Sequence, residues 1–138
     1  MVTALRWLAI APAVFAVWWL TFLLGLGLIE VAIRFCPAEE LISGMCMAPW
    51  YRYVEGGIIV VCAGITAASI IAVSVILAPS HRVSVASVIL GAGVLVALYM
   101  AYTAEAWGSF AAAVLAGTVA WSVVFCWSRG SIGRRSAL

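Results

Sequence analysis

Four apolar runs of about twenty residues, the length a helix needs to span a bilayer, fill most of this chain and leave little room for any other kind of fold. Short polar connections separate them, and all the acids fall on one side of the expected membrane while most of the arginines fall on the other, Arg34 and Arg52 excepted. Glu30, Glu39, Glu40, Glu55 and Glu105 fall in or beside the first and third connections. Arg6, Arg82, Arg129, Arg134 and Arg135 fall at the N-terminus, in the second connection and in the C-terminal tail. Arginine marks the cytoplasmic side of a membrane protein. The pattern therefore predicts an all-α, integral membrane four-helix bundle with both termini in the cytosol.

The expected helices run over 5–33, 56–78, 83–104 and 109–127, within a single transmembrane domain covering 1–128, and a basic cytoplasmic tail covers 129–138. Composition agrees: 67% of residues are apolar and 9% charged, whereas soluble domains run at about half apolar and a quarter charged. The net charge of +2 is arginine against glutamate alone, since the chain has no Lys and no Asp. So small an excess is topogenic, and nucleic acid is not an expected partner because binding it takes a clustered basic face. The run from Trp7 to Ile29 is about twice as long as a signal-peptide core and lacks a small-x-small cleavage pattern, so it reads as a retained first helix.

Tryptophan placement gives a second, independent signal. Trp7 and Trp127 fall at the predicted inner boundary and Trp50 and Trp107 at the outer one, where amphipathic rings belong; Trp18, Trp19 and Trp121 lie at depth. Pro12 predicts a kink or a slightly late start in the first helix. In the long outer connection, Pro37 followed by Ala38, Glu39 and Glu40 reads as a helix start, with proline in the first turn and acids near the positive dipole end. Leu41, Ile42 and Met45 would share one face of a short interfacial helix that Pro49 ends. Trp50, Tyr51 and Tyr53 then form an outer aromatic belt. Pro79-Ser80-His81-Arg82 makes a tight cytoplasmic turn, and the tail from Gly130 has no apolar periodicity and is expected to be mobile.

Helix association in lipid relies on close contact through small residues. The fourth segment carries Ser109, Ala113, Ala116, Gly117 and Ala120 on one stripe; the second offers Gly64, Ala67, Ala68 and Ser69, and the third Ser84, Ser87 and Gly91. The first segment differs, with bulky Phe15, Trp18, Trp19 and Phe22 and few small residues before Gly25 and Gly27, so it is expected to face lipid or another protein. Thr66, Ser74 and Thr118 have either a neighbouring helix or their own i−4 carbonyls as partners.

Chemistry-bearing residues are few. Cys36 and Cys46, both in the outer connection, predict a disulfide closing a loop of about ten residues, worth roughly 2–3 kcal/mol on the loop-entropy model. A redox pair is the alternative, with Cys62 as the partner of a relay. The four-helix membrane thiol oxidases that pass electrons to quinone are similar in topology, but they carry a Cys-x-x-Cys pair that this chain lacks. Cys126 reads as an apolar filler. The single histidine, His81, cannot supply the paired axial ligands of a transmembrane haem. Ion pathways need an acid or base at depth, and none lies between the predicted boundaries. Glu30, Glu55 and Glu105 could instead meet Arg34 and Arg52 in an outer charged cluster, either a vestibule or a solvated face. The chain resembles small multidrug transporters in length and helix count, without their acid inside the first helix.

These readings point to a small non-enzymatic multi-pass protein of a bacterial inner membrane, acting as a subunit, adaptor or immunity-type partner of another membrane or envelope protein. An oligomeric small transporter or channel is the alternative, and a thiol–quinone oxidoreductase a third. The expected partners are the lipid bilayer and either a protein or further copies of this chain; no cofactor, metal or small-molecule ligand is indicated.

Overall fold

The computed structural model describes residues 2–78 and 80–135, and the side chains of 6–78 and 80–128. Pro79 of the expected turn and residues 136–138 of the expected tail lie outside the described residues. Four long helices account for nearly everything else: α1 (Val2–Arg34), α2 (Tyr51–Leu77), α3 (Arg82–Ala104) and α4 (Trp107–Arg135). Each is long and apolar enough to cross a membrane. They form because an uninterrupted apolar run can satisfy its backbone polar groups in lipid only within itself.

Several boundaries differ from expectation. Helix α1 does not start late, since Pro12 sits inside it, where the proline leaves the carbonyl of Leu8 without its helical bond. Helix α2 begins at Tyr51, a turn before the expected Gly56, so the aromatic residues Tyr51 and Tyr53 belong to a helix rather than to a connection. Helix α4 continues through the expected tail to Arg135, since nothing after Trp127 is a proline that would end it.

The larger correction concerns the first connection. The predicted helix start survives only as a single 3-10 turn over Ala38–Glu40. Two short strands follow, β1 (Leu41–Ile42) and β2 (Met45–Cys46), paired antiparallel with Leu41 opposite Cys46 and Ile42 opposite Met45. Ser43 and Gly44 both take positive φ, 53° and 82°, the pattern of a two-residue hairpin turn. The disulfide explains the change. Cys36 and Cys46 are bonded with their Cα atoms 5.9 Å apart. A helix over 38–45 would have advanced the chain by about 12 Å, beyond the roughly 7 Å a disulfide tolerates. The two sequence expectations compete, and the crosslink wins.

Helix α2 is central. It packs along α1 on one side and along α4 on another, while α3 packs mainly on α4. A Cβ on Gly64 would lie 3.6 Å from the Ala116 Cβ and 3.7 Å from the Ala112 carbonyl oxygen, so α2 and α4 approach almost backbone to backbone. Gly64 and Ala116 of the two small-residue stripes therefore meet as expected, while Ala67, Ser109 and Ala113 of the same stripes line open space. Gly117 holds an even tighter place, its absent Cβ falling 2.9 Å from Leu90 Cδ1. The third-segment stripe behaves differently: nothing lies within 4 Å of a Cβ on Gly91, and Ser87 accepts a hydrogen bond of 2.9 Å from the Trp121 indole N–H. Thr66 bonds both ways, to Cys62 O at 2.7 Å and across to Thr21 Oγ1 at 2.9 Å. Ser74 donates to Ile70 O and Thr118 to Leu115 O within their own helices.

These contacts fix the register of the helices. Thr21 beside Thr66 and Gly25 beside Cys62 run antiparallel, which brings Glu30 level with Gly57 and hence within a turn of Glu55. Gly108 against Val60 sets the α3–α4 turn, with Glu105, at nearly the same height. At the opposite end the same registers, with Ser87 beside Trp121, bring Arg6, Arg82 and Arg129 to within about one turn of a common level. Glu30 and Arg6 are separated by about 36 Å of helix, between the thickness of a hydrocarbon core, about 30 Å, and that of a whole bilayer, about 40–45 Å. Charge sorting along the sequence thus becomes two charged ends in three dimensions.

Candidate functional site

At the glutamate end, the hairpin is fastened to α1 and α2. Cys46, Ala48 and Tyr51 are buried together, with Ala32, Ile33 and Cys36 packed against them. Tyr51 is the centre of this cap, and its ring also meets Trp50 edge-on at 6.1 Å between centroids. The hairpin's remaining apolar side chains point away: Leu41, Ile42, Met45 and Met47 are all exposed. A backbone bond of 2.9 Å from the Met47 N–H to the Glu40 carbonyl closes the loop beside the strands.

Of the five charged residues expected to cluster, the structure brings two together. Glu30 on α1 and Glu55 on α2 come within a turn of the same level, as the Thr21–Thr66 and Gly25–Cys62 contacts set the register. Glu55 is half-buried, while Glu30, Arg34, Arg52 and Glu105 are exposed. Among the described residues none of these acids forms an ion pair with Arg34 or Arg52, so the Glu30–Arg34 spacing along α1 does not yield a bonded pair. Glu105 shares their height but occupies a separate turn, where it takes a left-handed conformation, φ 53°, that ends α3. Among the described residues no group of three His, Cys, Asp or Glu side chains is placed to hold a metal ion. Cys62 is half-buried against Gly25, eleven residues into α2 and about 16 Å along it from Tyr51. Cys126 is exposed near the arginine end.

Deeper along α1 lies a second feature. Phe15, Trp18, Trp19 and Phe22 form one continuous aromatic face: Phe15 stacks on Trp19 at 6.5 Å, Trp18 stacks on Phe22 at 5.9 Å, and the two indoles tilt against each other at 6.0 Å. The i, i+4 spacing of a helix makes these neighbours. No residue from Arg6 to Arg34 is buried, and Trp18 and Trp19 are each 46% exposed. Midway between Arg6 and Arg34, these rings sit at the centre of the span, the opposite of the boundary position tryptophan favours. Among the described residues neither indole N–H has a hydrogen-bond acceptor.

A third feature had no signal in the sequence. A cleft of about 480 Å³ lies between α2, α3 and α4, with Val14 and Trp18 of α1 at its edge. It is bounded below by the tightest part of the fold, where Ile71, Val75 and Ala86 are buried against Leu90, Trp121 and Val124. Helices α2 and α3 meet there and part above it, leaving Ala63, Ala67, Gly93 and Ala97 to line open space. Its walls are almost wholly apolar, with Thr66 and Ser109 the only hydroxyls. Only the pairing of helices reveals this cleft, because the same small residues on paper suggest close contact. No family model, curated protein or solved structure matches the chain.

Proposed function

We propose that this chain is a non-enzymatic, multi-pass protein of a bacterial inner membrane, with both termini cytosolic, that serves as a subunit, adaptor or immunity-type partner of another membrane or envelope protein. The observation that carries this reading is the aromatic face of α1. Four large rings at the middle of the span, two of them with unpaired indole donors, form a surface that lipid tails serve poorly, because hydrocarbon offers no acceptor. A partner helix presenting a hydroxyl or carbonyl would satisfy those donors and bury the rings at once. The absence of any titratable group at depth on α1 fits a docking surface rather than a proton or ion path. The arginine-bearing end is assigned to the cytosol by the positive-inside rule, which leaves the disulfide-capped hairpin on the oxidising side, where such bonds persist.

The test is purification from membranes in mild detergent, followed by identification of stoichiometric companions. A foreign membrane protein that co-purifies with wild type and is lost on Trp18→Ala/Trp19→Ala supports the proposal. A clean homo-oligomer unaffected by those changes overturns it in favour of an oligomeric transporter or channel. Electron transfer through a thiol relay finds less support, because Cys62 stands about three helical turns from the disulfide cap.

A further inference from the structure

We propose that the cleft between α2 and α3 is a binding site for one acyl chain of a membrane phospholipid. The argument begins with its dimensions. Along α3 its lining runs from Ile89 to Ala101, and beside it from Ala106 in the turn before α4 to Gly117 within α4, a length of about 17 Å at the helical rise. A volume of about 480 Å³ spread over that length leaves a mean cross-section of roughly 28 Å². A whole transmembrane helix, at least about 10 Å across, needs roughly 80 Å², so a helix of a partner or of a second copy could cover the mouth of the cleft but not fill its depth. A single hydrocarbon chain, about 5 Å across at van der Waals separation, needs roughly 20 Å². The length accommodates on the order of 13 extended carbon atoms, given ordinary C–C bond geometry.

The chemistry of the walls agrees. Apart from Thr66, whose hydroxyl is engaged with Cys62 O and Thr21, the deep lining carries no polar side chain. The second hydroxyl, Ser109, lies in the first turn of α4, at the end of the cleft nearest Glu105. It has no hydrogen-bond partner among the described residues, and it stands at the depth where an acyl chain meets its ester carbonyl. The lower end is stopped by the packed Ile71–Ala86 contact. The site therefore receives a chain from the leaflet on the hairpin side, tail inward, with Ser109 donating to the ester. Trp18 of the aromatic face touches the edge of the cleft, but the residues whose replacement tests the site, Ala67, Gly93 and Ala97, belong to α2 and α3.

Native mass spectrometry of the protein released from detergent micelles tests it. Wild type is expected to retain one phospholipid per chain. Ala67→Phe and Ala97→Phe, each placing a ring across the passage from an opposite wall, should lower the lipid-bound fraction by about tenfold. Val119→Phe, on an exposed face of α4 outside the cleft, should leave it unchanged. Circular dichroism and melting identify any variant that fails to fold, and the smaller Gly93→Leu serves in its place. Wild type released without lipid, released as a lipid-free dimer, or releasing as much lipid as the folded cleft variants would each overturn the proposal.

Discussion

Removing the Cys36–Cys46 bond should loosen the hairpin and leave the four long helices intact. The bond closes a loop of ten residues, which on the loop-entropy relation contributes about 2.7 kcal/mol against local opening. Little else holds the segment. Its ladder is two residues per strand, of a kind that is marginal alone, and of its side chains only Cys46 and Ala48 are buried. A loss of 2.7 kcal/mol therefore corresponds to about a hundredfold rise in the open population. Hydrogen exchange on the Cys36→Ser/Cys46→Ser variant in detergent or nanodiscs reads this directly. Amide protection at Cys46 and Met47 should fall by about two orders of magnitude, while amides around Ser74 in α2 keep theirs. Unchanged protection in the hairpin would show that the burial of Ala48 and Tyr51, rather than the crosslink, holds it. Loss of protection in α2 as well would refute the separation of cap and helices.

The helix contacts give further expectations. Gly64→Val should destabilise the α2–α4 contact by about 1–3 kcal/mol through overpacking on the Ala112 backbone, whereas Gly64→Ala, at ordinary contact distances, should be tolerated; unfolding in SDS distinguishes them. Gly117→Ala meets the flexible tip of Leu90 and should cost about 1 kcal/mol, and a double-mutant cycle with Leu90→Ala should recover most of it. Ser87→Ala removes the acceptor of the Trp121 indole and should cost about 0.6 kcal/mol, the average for hydrogen bonds between membrane helices, and no more than about 1.7 kcal/mol, with a change in Trp121 fluorescence. Trp18→Ala/Trp19→Ala should abolish partner recovery without lowering the melting temperature as much as Gly64→Val does, since neither ring is buried within the chain.

Much of the architecture was legible because lipid imposes simple rules. Apolar length specified four helices, and charge sign anticipated the two ends at which Glu30, Glu55 and Glu105 and then Arg6, Arg82 and Arg129 come level. The cysteine pair was legible from its place in the outer connection. The hairpin was not, because Pro37-Ala38-Glu39-Glu40 carries a true helix-start signal that local propensity cannot weigh against a crosslink ten residues long. Ser43-Gly44 was the overlooked cue, a dipeptide suited to a turn with positive φ. Tyr51 was read as a belt residue since its burial depends on the hairpin folding over it. Small residues were the most ambiguous signal. Gly64 marks a helix contact, Gly93 and Ala97 line a cleft, and Gly117 does both; only three-dimensional packing separates these uses. The charged cluster was legible as a level and not as a set of contacts, because long exposed side chains are not fixed by backbone register.

Membrane threading is tested most directly by labelling from one side. In a chain with Cys62 and Cys126 replaced by alanine and the disulfide retained, single cysteines go in at Ser43 on the hairpin tip and at Ser80 in the α2–α3 turn. An impermeant maleimide applied to intact spheroplasts should label Ser43→Cys and reach Ser80→Cys only after permeabilisation. Labelling of both positions from the same side would contradict the assignment of the glutamate and arginine ends to opposite faces of the bilayer, and labelling of Ser80→Cys alone would invert the orientation proposed from the positive-inside rule.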